Sequence, residues 1–229
     1  MSGNHNQFSN VRVLIFDLDG TLIDSKLDLA LSVNAMLEHM GRAPLPHDKV
    51  FSFVGNGAPV LVRRSLNEGA ASGEIGDADV ERALSYFLAY YRDHMLDNTV
   101  AYPGVREGLD LLGGRAMAVL TNKPVKFSQA ILKGLGLARY FRYVYGGNSF
   151  ETKKPDPMGV QVLLRDLDSP LEAAMMIGDS EVDVRTARNA GIWACGVTYG
   201  LGSAGLKSNP PDLLVDSLAD LPFHLNGTH

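Results

Sequence analysis

The stretch VRVLIFDLDGTLIDS, residues 11–25, restricts what this chain can become more than any other. Residues 11–16 form an apolar run broken only by Arg12, which is how a strand buried on both faces of a parallel sheet reads. The run stops abruptly at Asp17-Leu18-Asp19-Gly20-Thr21. On an extended chain, residues two apart point the same way. Asp17 and Asp19 are therefore expected to project together from the strand's carboxyl end while Leu18 turns back toward the core. Two carboxylates held that close cannot both ionise cheaply, so one is expected to have a raised pKa unless a cation lies between them. Gly20 lets the backbone turn sharply just after the pair. A plainer reading competes, because Asp and Gly are ordinary formers of a strand-to-loop turn.

After Ser25 the period changes to that of a helix. Leu27, Ala30, Val33, Leu37 and Met40 step by three and four, with Asp24 or Ser25 as N-cap and Gly41 as the stop. Pro44 and Pro46 mark a loop, and a short segment at 50–54 leads to Gly55-Asn56-Gly57; Val60, Leu61 and Leu66 then predict another helix. Residues 69–77 read as a surface loop, and Val80, Leu84, Phe87, Tyr91 and Met95 as an amphipathic stripe. Residues 22–100 thus read as entirely helical.

From Pro103 onward, helices predicted at 103–112, 124–135, 157–167 and 181–190 alternate with strands at 116–120, 143–145, 174–177, 192–197 and 213–215, and a short helix follows Ser217. This alternation predicts an α/β fold, a Rossmann-like parallel sheet covered on both faces with right-handed crossovers. The strand at Val11 belongs to that sheet, so the helical stretch is an insertion after it. The expected organisation is a catalytic core of residues 1–21 and 101–229 with an inserted helical cap of residues 22–100.

With 229 residues, 45% of them hydrophobic and 21% charged, the chain reads as a soluble globular protein longer than the usual single domain. A net charge of -5 argues against nucleic acid or an anionic membrane as the main partner, although backbone N–H groups, Lys and a metal can still gather a small anion. Cys195 stands alone, so neither an intrachain disulfide nor a Cys-based zinc site is expected. The first ten residues lack the basic-then-apolar layout of a signal peptide, and no apolar run approaches a membrane span. The expectation is a cytoplasmic monomer or homodimer.

In an open α/β sheet, function sits at the carboxyl ends of the strands. Three further groups fall there. Thr121-Asn122-Lys123-Pro124 follows an apolar strand, and Pro124 suits the first turn of a helix whose free N–H groups would face a ligand. Lys153-Lys154-Pro155-Asp156-Pro157 opens another helix, with a solvated lysine pair as the alternative. Gly178-Asp179-Ser180-Glu181-Val182-Asp183 sets two acids four apart across a helix start, where they could face one site or simply suit the helix dipole.

DLDGTLIDS after a buried strand resembles the first motif of the haloacid dehalogenase superfamily, and TNKP, KKPDP and GDSxxD are similar to its second, third and fourth motifs, in the family's order. The resemblance covers essentially the whole chain. It implies that Asp17 is a nucleophile that becomes an aspartyl-phosphate and Asp19 the general acid/base. Thr121 and the Asn122 backbone N–H would bind the phosphate, and Lys154 would lie against Asp17 and the phosphoryl group, with Lys153 on the surface. Asp17, the Asp19 carbonyl and Asp179 would bind Mg²⁺, an ion suited to a hard, all-oxygen site, while Asp183 would orient a water or Lys154.

Within the superfamily, VGNGAPVLVRRSL (residues 54–66), TNKP, KKPDP and VTYGLGS (residues 197–203) look like phosphoglycolate phosphatases with a helical cap. A small phosphorylated metabolite is then the implied substrate. Gly55, Asn56 and Gly57 would offer backbone N–H groups to a small carboxylate, and Arg63 and Arg64 are candidate anion partners that compete with a plain solvated face. One departure is Asn148 in Gly146-Gly147-Asn148, where many relatives carry GGD; its expected effect is on the loop or on supporting contacts.

Other members of the superfamily stay open. Phosphatases acting on pyrophosphate, nucleotides or sugar phosphates fit the motifs, as does a phosphomutase. A phosphonoacetaldehyde hydrolase fits poorly, since it replaces the second Asp and needs a cap lysine, and the cap holds only Lys26 and Lys49. Among non-enzymes, a receiver domain has its acids in a different order, and a catalytically silent phosphate-binding module would not need all four positions filled.

Overall fold

The computed structural model describes residues 7–68 and 75–226. Most of the loop expected at residues 69–77 lies outside the described residues. The first strand, β1 (Val13–Phe16), is buried along its whole length. Its side chains divide by the two-residue period of a strand: Leu14 and Phe16 enter one hydrophobic cluster, Val13 and Ile15 a second on the other face. A strand covered on both sides is what the unbroken apolar run requires.

Two short strands, β2 (Ile23–Asp24) and β3 (Val100–Ala101), pair antiparallel with Ile23 opposite Ala101. They frame four helices, α1 (Lys26–His39), α2 (His47–Phe51), α3 (Ala58–Asn67) and α4 (Asp77–His94). The span 22–100 is therefore not entirely helical; a two-stranded neck ties its ends together. Strands of two residues are too short to carry a readable period, which is why sequence reasoning passes over them. Beside this neck the Asp28 carboxylate, fully buried on α1, accepts hydrogen bonds from the backbone N–H groups of Asn98 and Thr99, the Asn98 side chain and the Thr99 hydroxyl, at 2.7–3.0 Å. Asp28 thus fastens the outgoing helix to the returning chain.

The rest alternates as expected: α5 (Val105–Leu111), β4 (Ala116–Leu120), α6 (Val125–Gly134), β5 (Tyr143–Tyr145), α7 (Met158–Asp166), β6 (Ala174–Gly178), α8 (Glu181–Ala190), β7 (Trp193–Val197), β8 (Leu213–Val215) and α9 (Leu221–Asn226). Six strands form one sheet in the order β5-β4-β1-β6-β7-β8, with every pair parallel. From β1 the chain steps outward to β4 and β5, then crosses to β6 on the other side of β1. That reversal makes the carboxyl end of β1 the switch point where such sheets bind ligands. Phe16 lies opposite Val119 of β4 and Ile177 of β6, so the residues just beyond these three strands emerge side by side.

Helix ends follow local chemistry with two departures. Gly41 and Gly191 close α1 and α8 in the left-handed conformation. Ser180 and Asp183 form a reciprocal capping box at the start of α8. Ser25, by contrast, does not cap α1: its hydroxyl donates to Asp19 Oδ1 at 2.5 Å. Leu27 is exposed instead of joining the buried stripe of Ala30, Val33 and Leu37; Leu29 is the first-turn residue that enters the core. No helix among the described residues is long and apolar enough to cross a membrane.

Candidate active site at the carboxyl ends of the central strands

Asp17 follows β1 directly, and its N–H donates to the Ile177 carbonyl of β6, which fixes its direction. Lys154 reaches in from the loop before α7, with Nζ 2.8 Å from Asp17 Oδ1 and 2.6 Å from Asp183 Oδ1. Its hydrogens align with Asp183, so Asp17 Oδ1 is buried with an ion-pair partner but no aligned hydrogen bond. Asp183 uses its second oxygen to accept from the Ser180 N–H and hydroxyl. Asp179 accepts from the Gly202 N–H at 2.7 Å and the Thr21 hydroxyl at 3.3 Å. The expected neighbours from three strand ends do meet.

Asp17, Asp179 and Asp183 each offer a carboxylate oxygen within 4.8 Å of the others, all buried. The electrostatic consequence is large. Burial pushes the Asp17 carboxyl up to about 6, with Asp183 adding to the rise and Lys154 opposing it. Burial, reinforced by Asp183 and Asp17, pushes Asp179 up to about 8. For Lys154, burial alone would lower the pKa, but the two neighbouring carboxylates outweigh it and raise it. The anticipated raised acid is therefore found, but its partners are Asp179 and Asp183 and not Asp19.

Three buried carboxylates with one ammonium leave two negative charges uncompensated when all are ionised, and one oxygen lacks a hydrogen-bond donor. A hard divalent cation fits this all-oxygen set in charge and in donor type. A Cβ on Gly20 (φ 87°) or Gly200 would run into the Asp179 carboxylate, so both glycines let the chain pack tightly against that acid.

Asp19 and Asp17 both line a cavity of about 50 Å³ between the sheet end and the helical insertion. The Asp19 carboxylate takes the Ser25 hydroxyl and Lys123 Nζ at 3.0 and 3.2 Å. Thr121, buried at the end of β4, and Asn122 also line this cavity. The Asn122 side-chain amide donates to the Gly55 and Lys154 carbonyls, tying core to insertion. Asn148 accepts the first free N–H of α6, from Val125, so the departure at that position supports the loop next to Thr121.

On the insertion side the expectations are met unevenly. Gly55 and Gly57, both at positive φ, border the cavity, whereas Asn56 presents its carbonyl outward to Lys153 Nζ at 2.8 Å. Lys153 is on the surface, yet it bridges core to insertion. Arg63 is not brought to the cavity: it is exposed and paired with Asp77 at 2.7 Å, and Arg64 lines a separate cleft beside Ser52 and Glu68. Arg63 thus satisfies its charge locally.

Two residues absent from the sequence-based candidates stand in the site. Lys123 is buried, pairs with Asp19 and lies 4.5 Å from the centre of the Tyr91 ring. Tyr91, from α4, is buried with its hydroxyl beside the Lys123 ammonium but making no aligned hydrogen bond among the described residues, and burial pushes that hydroxyl up to about 12 against the pull of Lys123. The loop after β7, within the VTYGLGS segment, also borders the site: Tyr199 donates to the Thr21 carbonyl and the Gly202 N–H donates to Asp179.

A family model described as haloacid dehalogenase-like hydrolase matches residues 14–197. A phosphoglycolate phosphatase of Pseudomonas fluorescens strain Pf0-1 is 42% identical over 214 residues, covering 92% of this chain and 78% of that protein. One of Colwellia psychrerythraea is 41% identical over 191 residues, covering 82% and 84%. Among solved structures, a predicted phosphoglycolate phosphatase from Haemophilus somnus 129PT superposes with a TM-score of 0.88 at 32% identity, covering 93% of this chain and 96% of that one. A match that runs from β1 to the end of β7, over the same strand ends that gather the acids, makes this chain a member of the haloacid dehalogenase-like hydrolases.

Proposed function

We propose that this chain is a Mg²⁺-dependent phosphate monoester hydrolase that cleaves 2-phosphoglycolate to glycolate and phosphate. The observation that carries the reading is the convergence of Asp17, Asp179, Asp183 and Lys154 at one sheet end, with Asp19 and Thr121 beside them under the helical insertion. Relatives named phosphoglycolate phosphatase over most of the chain supply the choice of substrate.

Asp17 attacks the phosphorus in line with the ester oxygen, the phosphorus–oxygen ester bond breaks, and the departing alkoxide takes a proton from Asp19. The phosphoryl group is then carried on the Asp17 carboxylate. Asp19, now ionised, removes a proton from a water that attacks the phosphorus and frees Asp17. Thr121, the Asn122 N–H and Lys154 hold the phosphoryl oxygens, so the protein's work is positioning and electrostatics. Asp17, the Asp19 carbonyl and Asp179 are the groups that would hold Mg²⁺, and Asp183 steadies Lys154. Held there, such an ion would offset the repulsion between an anionic phosphate and the acid cluster.

Residues 22–100 act in this reading as a cap that opens and closes on the β2–β3 neck, excluding water while the intermediate lasts. The cavity it leaves suits a short ester better than a nucleotide. The test is kcat/KM with Mg²⁺ across phosphoglycolate, pyrophosphate, nucleoside monophosphates and hexose phosphates, with product analysis to separate phosphate release from isomerisation. Asp17→Asn is expected to lose nearly all turnover. Substantial Mg²⁺-dependent activity in that variant, or no preference for phosphoglycolate, would refute the assignment.

A further inference from the structure

The chemistry at Asp17 treats every phosphate ester alike, so selection must come from what surrounds the leaving group. Within the cavity between sheet end and insertion, the walls supplied by Leu29, Val54, Leu61, Phe87 and Phe127 are apolar. Among its described lining residues one is basic, Lys123. Its Nζ lies 3.0 Å from Asp19, the residue assigned to the leaving oxygen, and 4.5 Å from the Tyr91 ring. Tyr91 adds the second observation: a buried hydroxyl that makes no aligned hydrogen bond among the described residues and has the Lys123 ammonium next to it, in a residue lining the same cavity. A buried phenol normally finds a hydrogen bond, and one left open is costly unless a ligand completes it.

These placements have a chemical consequence. In a leaving group of the form O–CH₂–COO⁻ the carboxylate begins one carbon beyond the oxygen that Asp19 serves. The groups beside Asp19 are therefore the ones it would meet. An ammonium and a phenol hydroxyl are both donors, and a carboxylate accepts from both. We infer that Lys123 and Tyr91 form the subsite for the substrate's carboxylate, so that a cation from the core and a hydroxyl from the cap jointly select short phosphorylated hydroxy acids over neutral phosphate esters. Because Tyr91 rides on α4 while Lys123 follows β4, the subsite is complete only when cap and core are together. The inference rests on the phosphatase reading but not on phosphoglycolate being the best substrate.

A competing role for Lys123 is simply to hold Asp19, which would affect every ester equally. The experiment compares kcat/KM for phosphoglycolate, 2-phospholactate and the neutral isostere 2-hydroxyethyl phosphate in the wild type, Lys123→Met, Lys123→Arg and Tyr91→Phe. Wild type is expected to favour the carboxylated esters by about 100-fold or more, as a site built for a polar group rejects analogues that lack it. Lys123→Met should cut that ratio by about 30-fold, chiefly through KM, and Lys123→Arg should restore part of it. Tyr91→Phe keeps the ring, and hence the packing, and should cut the ratio by about fivefold.

A Lys123→Met enzyme that slows both kinds of ester by one factor overturns the subsite, and so does a Tyr91→Phe enzyme with an unchanged ratio. Should Lys123→Met fail to fold, Tyr91→Phe decides alone. A wild type that prefers 2-phospholactate to phosphoglycolate would retire the substrate named above and leave the subsite standing. One that shows no preference for carboxylated esters would overturn the subsite whatever its best substrate.

Discussion

Replacing Lys154 with Met removes the single cation from the buried acid cluster while keeping a side chain of similar length. At an effective dielectric of about 20, each ion pair at 2.6–2.8 Å is worth about 6 kcal/mol before desolvation, and burial of the ammonium returns much of that. Removing one partner of a buried pair typically costs about 3–5 kcal/mol, because the other charge stays buried and alone. For a chain of this size that is a fall in Tm of roughly 6–20 °C.

The pH dependence identifies the cause. Asp17 and Asp179 hold protons to about 6 and about 8 in the folded protein, against 3.8 for an ordinary Asp. Between those values the folded state binds more protons than the unfolded one, so stability falls as pH rises. Without Lys154 the carboxylates can escape only by protonation. The deficit of Lys154→Met should thus be full at pH 8 and small at pH 5, and Mg²⁺ should recover part of it at pH 8. Urea unfolding in EDTA at both pH values, with and without Mg²⁺ added back, measures this. A deficit under about 1 kcal/mol, or one equal at pH 5 and pH 8, would mean that Lys154 acts through packing and the charge argument fails.

In the wild type, a divalent ion must displace the protons that Asp17 and Asp179 retain, so the rise in Tm at fixed free Mg²⁺ should be larger at pH 8 than at pH 6; equal shifts by scanning calorimetry would contradict it. Gly20→Ala would drive a Cβ into the Asp179 carboxylate at a φ of 87°, and should raise the Mg²⁺ concentration for half-maximal activity about tenfold, with unchanged metal dependence as the refuting result. Asp28→Ala strands four hydrogen-bond donors on Asn98 and Thr99 at the neck and should cost about 3 kcal/mol in urea unfolding; a loss below about 1 kcal/mol would show that Asp28 does not fasten the neck.

What could be read in the sequence divides along a physical line. The core half of the site was legible because a doubly buried strand announces both where it lies and where it stops, and a side chain just past the stop has few directions open to it. Asp17, Thr121 and Asp179 follow from that rule, with Phe16, Val119 and Ile177 in register behind them. The cap half was not. Tyr91 sits in the stripe with Val80 and Phe87, where periodicity marks a residue as core and cannot say whether that core belongs to one domain or to the seam between two. Arg63 illustrates the converse: a charge on a helix invites a functional reading, and Asp77 satisfies it on the spot.

Two signals would nevertheless have found the missed pair. A tyrosine in an otherwise apolar stripe must place its hydroxyl somewhere, and that of Tyr91 makes no aligned hydrogen bond among the described residues. The spacing argument that set Asp19 beside Asp17 applies equally to Lys123 beside Thr121, two residues on past the end of β4. Applied there, it puts an ammonium on the same rim as the Thr121 hydroxyl, facing the acid pair of β1, where the structure has it at 3.0 Å from Asp19. In the proposed reading, chemistry common to all phosphate esters therefore falls to residues that a strand end alone directs. The discrimination proposed for Lys123 and Tyr91 falls to a contact that exists only where α4 meets that rim, and no local pattern in either segment encodes the meeting.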